Sequence, residues 1–328
     1  MPQISAEQLT LLRRIKGVSS YEDETVQAPV DEVTNSTTVL HFMLEIIPSA
    51  EPAPWLRKQR LIENGKPTVA CVVLFAEEPQ IYLPKAAIKI YRYKTTDKEG
   101  SRASLAFNPI AIEGPIYDQI KNAVQQTAHL AEQIPVMGSG GLEHIRYPRD
   151  SLHEIITNAV LHRDYGLNDD VHVRIFDDRV EVESPGRLPA HITTSNILSE
   201  RFARNPKIVR LINKFPDPPN KDVGEGLNTA FDAMRELGLR NPEIVERDNS
   251  VLVNIRHERL ASPESLIVEY VRTAGVVNNS KAREITGIES ETRTRRLLKK
   301  LVDSGELEQV PDTFKGTTAY RIPENKKR

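Results

Sequence analysis

The sequence predicts an α/β (α+β) chain, with a central α/β sandwich between an N-terminal α/β domain and a small basic C-terminal module. Three observations predict it: helical and strand-like periodicities alternate along the chain, a glycine-rich crossing precedes residue 148, and positive charge gathers after residue 278. At 328 residues the chain is long enough for several domains, each burying its own core. The boundaries fall at 1–134, 136–258 and 262–322. With 44 basic and 46 acidic side chains the net charge is −2, so any surface for nucleic acid must be local. The single cysteine, Cys71, excludes an intrachain disulfide and a cysteine-built zinc site. No leader pattern and no apolar stretch approaching ~20 residues is found, so a cytoplasmic protein with no membrane partner is expected.

In the first domain, Ile4, Leu9, Leu11, Leu12 and Ile15 give residues 1–20 a helical pattern. Residues 38–47 read as a buried helix ended by Pro48, Pro52 and Pro54, and Trp55 and Leu56 open a second, shorter one. The continuous run 67–75 is apolar, β-branched and flanked by Gly65 and Pro79, which predicts a buried strand. Another strand is expected at 87–93, and Ile116, Ile120, Ala123, Val124, Ala131 and Ile134 mark an amphipathic helix over 115–134. Met137-Gly-Ser-Gly-Gly141 then suits a flexible crossing between domains.

Pro148 opens the helix of greatest interest, with Asp150 and Glu154 in its early turns. Residues 171–176 and 179–184 alternate with period two around Asp177-Asp178, the pattern of a tight hairpin. Residues 187–223 are rich in proline and too irregular for one regular element. Gly224-Glu-Gly226-Leu227 leads into a helix to about residue 237, and 250–256 alternates again as a strand. No internal repeat interrupts this order.

Glu154 and Asn158 are four apart and so share a helical face. An amide oxygen can ligate Mg²⁺, and a carboxylate can orient or deprotonate a water aimed at a γ-phosphate. Alone, this spacing equally describes a solvated helix face. The parts that follow it add weight: a hairpin, then Ser184-Pro-Gly186, a long irregular segment, and glycines at the start of a helix, where free N–H groups suit phosphates. No G-x-x-x-x-G-K-[ST] is present, which excludes a P-loop. His162-Arg163-Asp164 resembles a kinase catalytic loop only superficially, because Asp169 stands where that loop needs asparagine. Arg163, Asp164 and Tyr165 fit either a locked helix terminus or a part in the pocket.

The order of these parts is that of the Bergerat fold of gyrase B, MutL and histidine kinases. The stretch 147–165 (Tyr-Pro-Arg-Asp-Ser-Leu-His-Glu-Ile-Ile-Thr-Asn-Ala-Val-Leu-His-Arg-Asp-Tyr), residues 171–189, Arg204-Asn-Pro206 and Val223-Gly-Glu-Gly-Leu227 resemble a family of bacterial and archaeal ATP-binding transcriptional regulators. Members carry a RecG-like C-terminal ATPase-type domain, commonly behind a Schlafen-type AlbA-like module. The resemblance implies ATP and Mg²⁺ as cofactors, Glu154 as the catalytic carboxylate and Asn158 as the Mg²⁺ ligand. It places Ser184 and Gly186 in the first glycine box and Gly224, Gly226 and Leu227 in the second, with 187–223 as the lid. One departure concerns the base. Active Bergerat enzymes have Asp-x-Gly-x-Gly in the first box, and its aspartate reads the amino group of adenine. Here Ser184 offers a hydroxyl, with Glu183 and Asp178 the nearby carboxylates. Residues 1–134 resemble only the closing part of the AlbA-like module and its connector, so no nuclease site is expected.

Behind this region, Ser262-Pro-Glu264 and Asn278-Asn-Ser280 read as caps of two helices, Gly287 ends the second, and a third spans 289–304. Residues 307–322, turning at Lys315-Gly316, complete the pattern of a winged helix-turn-helix. From 278 to 328 there are twelve basic and eight acidic residues, a local net of +4. Arg293, Arg296, Lys299 and Lys300 on the third helix are the expected DNA contacts of a homodimer. A module used only for dimerisation would carry the same helices.

Overall fold

The computed structural model describes residues 20–138, 141–144, 148–189, 191–200, 202–219, 226–236, 239–256, 263–286, 288, 290–311, 313 and 318–323. The expected helix over 1–20, Tyr147, Gly224, the Ser262 cap, Gly287, Glu289 and the Lys315-Gly316 turn lie outside the described residues. The chain divides into two compact units, 1–258 and 259–328.

The first unit is built on a six-stranded sheet. Its strands are β1 (Ile88–Arg92), β2 (Ile110–Ile112), β3 (Val171–Ile175), β4 (Arg179–Pro185), β5 (Glu243–Glu246) and β6 (Ser250–Arg256), in spatial order β2-β1-β3-β4-β6-β5. Pairing is antiparallel except between β1 and β3, which run parallel from Ile88↔Val171 to Arg92↔Ile175. The boundary read near residue 135 therefore falls inside one compact unit, whose sheet takes strands from both sides of it. Alternation gives the sheet two faces. Ile88, Ile90, Val171, Val173, Ile175, Val180 and Val182 are buried on one, while Lys89, Tyr91, His172, Arg174 and Glu183 share the other.

The helices of this unit are α1 (Thr37–Ile46), α2 (Pro52–Lys58), α3 (Val69–Phe75), α4 (Ile116–Glu132), α5 (Arg149–Leu161), α6 (Pro206–Ile212) and α7 (Gly226–Glu236). The apolar run expected as a strand is α3. Thr68 caps it, its hydroxyl accepting from Cys71 N at 3.3 Å. All seven residues are buried, so no polar stripe is left to reveal the helical period. Between Pro135–Gly138 and Gly141–His144 the chain forms a short antiparallel ribbon, where the glycines suggested only a flexible crossing. The segment 187–223 also divides. Its second half contains α6, whose Ile208, Leu211 and Ile212 are fully buried, and Phe215, which packs on Phe42 and Phe75.

In the second unit α8 (Pro263–Ala274), β7 (Val277–Asn278), α9 (Asn279–Thr286), α10 (Glu291–Asp303), β8 (Glu308–Gln309) and β9 (Ala319–Arg321) follow in order. The three short strands form an antiparallel sheet ordered β7-β9-β8. Asn278 Oδ1 accepts from Lys281 N at 2.8 Å, and Ser290 Oγ accepts from Arg293 N at 3.3 Å; both are N-terminal caps. Ile267, Val271, Ala282, Leu298, Leu301 and Ile322 make a separate core. Arg293, Arg296, Lys299 and Lys300 are exposed on α10, and Lys300 Nζ pairs with Glu264 at 3.0 Å. No helix among the described residues is long and apolar enough to cross a membrane.

Candidate functional site

α5 lies on the buried face of the sheet against β4, and α7 packs beside it, with Ser151 Oγ donating to Ala230 O at 2.8 Å. This arrangement leaves a cavity of about 290 Å³. Glu154 and Asn158 line it from α5, His162 from the cap that ends α5, Val182 and Ser184 from β4, and Leu227 and Asn228 from α7. Gly186 and the following segment close another side through Leu188, Ile192, Leu198 and Phe202. The walls are thus largely apolar with a few polar groups, and the volume is near the lower end for small-molecule sites.

Of the residues singled out from sequence, Glu154, Asn158, Ser184, Gly186 and Leu227 meet at this cavity. Gly226 begins α7, and Gly224 lies outside the described residues. Asn158 Nδ2 donates to Glu154 Oε1 at 2.7 Å. An ionised carboxylate only accepts, so this bond fixes the amide with its oxygen left over for a cation. Burial raises the Glu154 pKa and the bond from Asn158 lowers it; burial is the larger influence. A raised carboxyl pKa suits a group that must take up a proton. Ser184 Oγ donates to Ala159 O at 2.6 Å, tying the first glycine turn to α5.

The two carboxylates considered near that turn are used elsewhere. Glu183 points to the opposite sheet face, where it accepts from Arg174, Arg247 and Ser250. Burial would raise its pKa, but the hydrogen bonds from Ser250 and Arg174 and the charges of both arginines outweigh that and hold it at about 2. Asp178 pairs with Arg179 at 2.8 Å. Arg163 takes the structural of its two readings: it is buried, and it donates to Lys85 O and Asp169 O.

His162 and Arg204 stand in stretches quoted from the sequence, but neither was given a part in the site. His162 occupies the cavity wall one turn beyond Asn158, and spacing alone could have found it. Arg204 is forty residues beyond Asp164, and only tertiary structure brings it to Asp164 Oδ2, at 3.3 Å. Burial and the Arg204 cation together lower the His162 pKa to about 4.

Behind the cavity, Asn205 Nδ2 donates to both Leu161 O and Arg163 O at 2.9 Å, capping the end of α5. The next residues are held by Glu22, fully buried, whose two oxygens accept from Lys207 N at 2.8 Å and Ile208 N at 2.9 Å. Burial raises the Glu22 pKa to about 7 against the pull of those amides and the Lys207 charge. A raised native carboxyl pKa contributes stability that is whole below the unfolded value of 4.5 and lost as pH rises to about 7. His162 acts oppositely, gaining stability as pH rises from about 4, so the informative quantity is wild type minus Glu22→Gln. That difference in urea-unfolding free energy is expected to fall by about 3 kcal/mol between pH 4.5 and 7. A flat or rising difference would contradict the burial described for Glu22.

A family model described as "Putative ATP-dependent DNA helicase recG C-terminal" matches residues 168–255. No curated protein matches the chain in sequence. Among solved structures, the crystal structure of the DIP2311 protein from Corynebacterium diphtheriae is similar, with 16% identity and a TM-score of 0.54. The match covers 98% of this chain and 73% of that one, and at such identity it speaks for the fold alone. The cavity is framed by β4, β5 and β6 of the matched stretch together with α5 just ahead of it, and the family match supports an ATPase-like domain there.

Proposed function

We propose that the cavity binds ATP with Mg²⁺ in a Bergerat-type domain, and that binding there controls a DNA-binding regulator. The observation that carries this reading is the meeting of Glu154 and Asn158, one helical turn apart, with Ser184, Gly186 and Leu227 at a single cavity. Apolar walls suit a flat base. Mg²⁺ keeps phosphate and water ligands and needs only one or two protein oxygens, of which Asn158 Oδ1 is the candidate. Glu154 is placed on the same face to orient a water.

For the second unit, the order helix, strand, helix, helix, strand, strand supports a winged helix-turn-helix, with α10 as recognition helix and Arg293, Arg296, Lys299 and Lys300 toward DNA. In this reading, nucleotide orders the segment after Gly186 and alters a homodimer that presents the two modules.

One coupled measurement tests the whole reading. Labelled duplex DNA is titrated with the full chain at several salt concentrations, with and without ATP and Mg²⁺. DNA affinity should fall steeply with salt and change at least about fivefold with ATP and Mg²⁺ in the wild type. The nucleotide effect should vanish in Asn158→Ala, and DNA binding should weaken in the Arg293→Ala/Arg296→Ala double variant. DNA binding indifferent to nucleotide would reject the regulator. A second reading, a working ATPase of a nucleic-acid-directed system, draws on the raised pKa of Glu154. It requires ATP turnover that disappears in Glu154→Ala while ATP binding persists.

A further inference from the structure

If a nucleotide occupies the cavity, some group must read its base, and the usual carboxylate is missing. Ser184 stands in its place and has committed its hydroxyl proton to Ala159 O. Glu183 faces the opposite side of the sheet among two arginines, Asp178 is held by Arg179, and Glu154 accepts from Asn158. Asp164 is bound to Arg204 and to Gly166 N.

His162 is different. It lines the cavity, and neither ring nitrogen has a hydrogen-bond partner among the described residues. Nδ1 is buried in that unpaired state, which is unfavourable until a partner arrives. Burial and the neighbouring Arg204 cation keep the ring neutral near pH 7. A neutral imidazole has one donor and one acceptor and no charge for phosphate, so it suits the uncharged, mixed donor and acceptor edge of a heteroaromatic base. Its position agrees: it follows Glu154 and Asn158 at the same four-residue spacing, at the end of α5 away from its N-terminus.

We propose that His162 is the specificity residue of the nucleotide cavity, one ring nitrogen hydrogen-bonding the polar edge of the base in place of the missing carboxylate. The assignment rests on the nucleotide reading above and is separable from it by experiment.

The full chain is titrated calorimetrically with Mg-ATP and with Mg-tripolyphosphate, which has the phosphates without a base. His162→Phe, which keeps a ring and removes both nitrogens, should weaken ATP roughly tenfold and leave tripolyphosphate unchanged. His162→Gln, retaining a donor and an acceptor, should recover most of the loss. Unchanged ATP affinity in His162→Phe overturns the role of His162 and leaves nucleotide binding standing. Equal losses for both ligands overturn it in favour of a structural role. Absence of ATP binding to the wild type overturns both readings. An assay independent of variant folding uses the wild type: the ¹⁵N resonances of the His162 ring should shift on adding ATP, and unmoved resonances would overturn the assignment.

Discussion

Replacing Arg163 with alanine is expected to lower the unfolding free energy by about 4 kcal/mol, measured in urea at constant m-value. The side chain is only 3% exposed, and its two terminal nitrogens donate to Lys85 O at 2.7 Å and Asp169 O at 2.6 Å. Those carbonyls lie just ahead of β1 and β3, the parallel pair, so one guanidinium clamps the entries of both strands. The ring of Tyr165 lies 4.8 Å from the guanidinium carbon and completes its surroundings. Truncation removes two hydrogen bonds to partly buried carbonyls, at about 0.5–1.5 kcal/mol each, and leaves a void beside the ring. Arg163→Lys should recover less than half of the loss, because a single ammonium cannot span both acceptors as the planar fork does. A loss below about 1 kcal/mol in Arg163→Ala would mean that the clamp is idle.

The second large effect is expected at Gly186, where alanine should cost about 3 kcal/mol. The backbone there has φ +108°, a region that residues with a Cβ avoid. A Cβ would also lie 2.8 Å from Asp164 Cβ and 3.2 Å from Asp164 N, and neither is a movable tip. Both sides are pinned: Asp164 N donates to Pro185 O at 2.7 Å, and Gly186 N donates to Asn249 O at 2.8 Å. Asp164→Gly in the same chain removes the closer contact and leaves the backbone one and the dihedral penalty. The double variant should therefore be more stable than the sum of the single effects predicts. Strict additivity in chemical denaturation would remove the collision from the account.

The sequence was most informative where polarity was one-sided. The hairpin over 171–185 and the helices 116–132 and 149–161 each keep a polar side, and their periods identify them. Where both sides are apolar the period disappears, which is how α3 came to resemble a strand. The helix α6 lies in a proline-rich stretch, yet Asn205-Pro206 is an ordinary helix opening. The short edge strand β5, Glu-Ile-Val-Glu, is too brief for alternation to register. Within the site, Glu154, Asn158 and Ser184 were accessible through local spacing and turn chemistry. The hold of Glu22 on Lys207 and Ile208 spans some 185 residues, and no local signal encodes it.

The parallel seam between β1 and β3 has a practical consequence for dissecting this chain. A fragment begun at the glycine-rich ribbon would keep β3, β4, β6 and β5 but strip five residues of hydrogen-bonding partners from the outer flank of β3. A bare flank of that kind recruits other chains. Fragments meant to stay monodisperse should start ahead of Lys85, so that the carbonyls that receive Arg163 and the amide of Val171 are both kept.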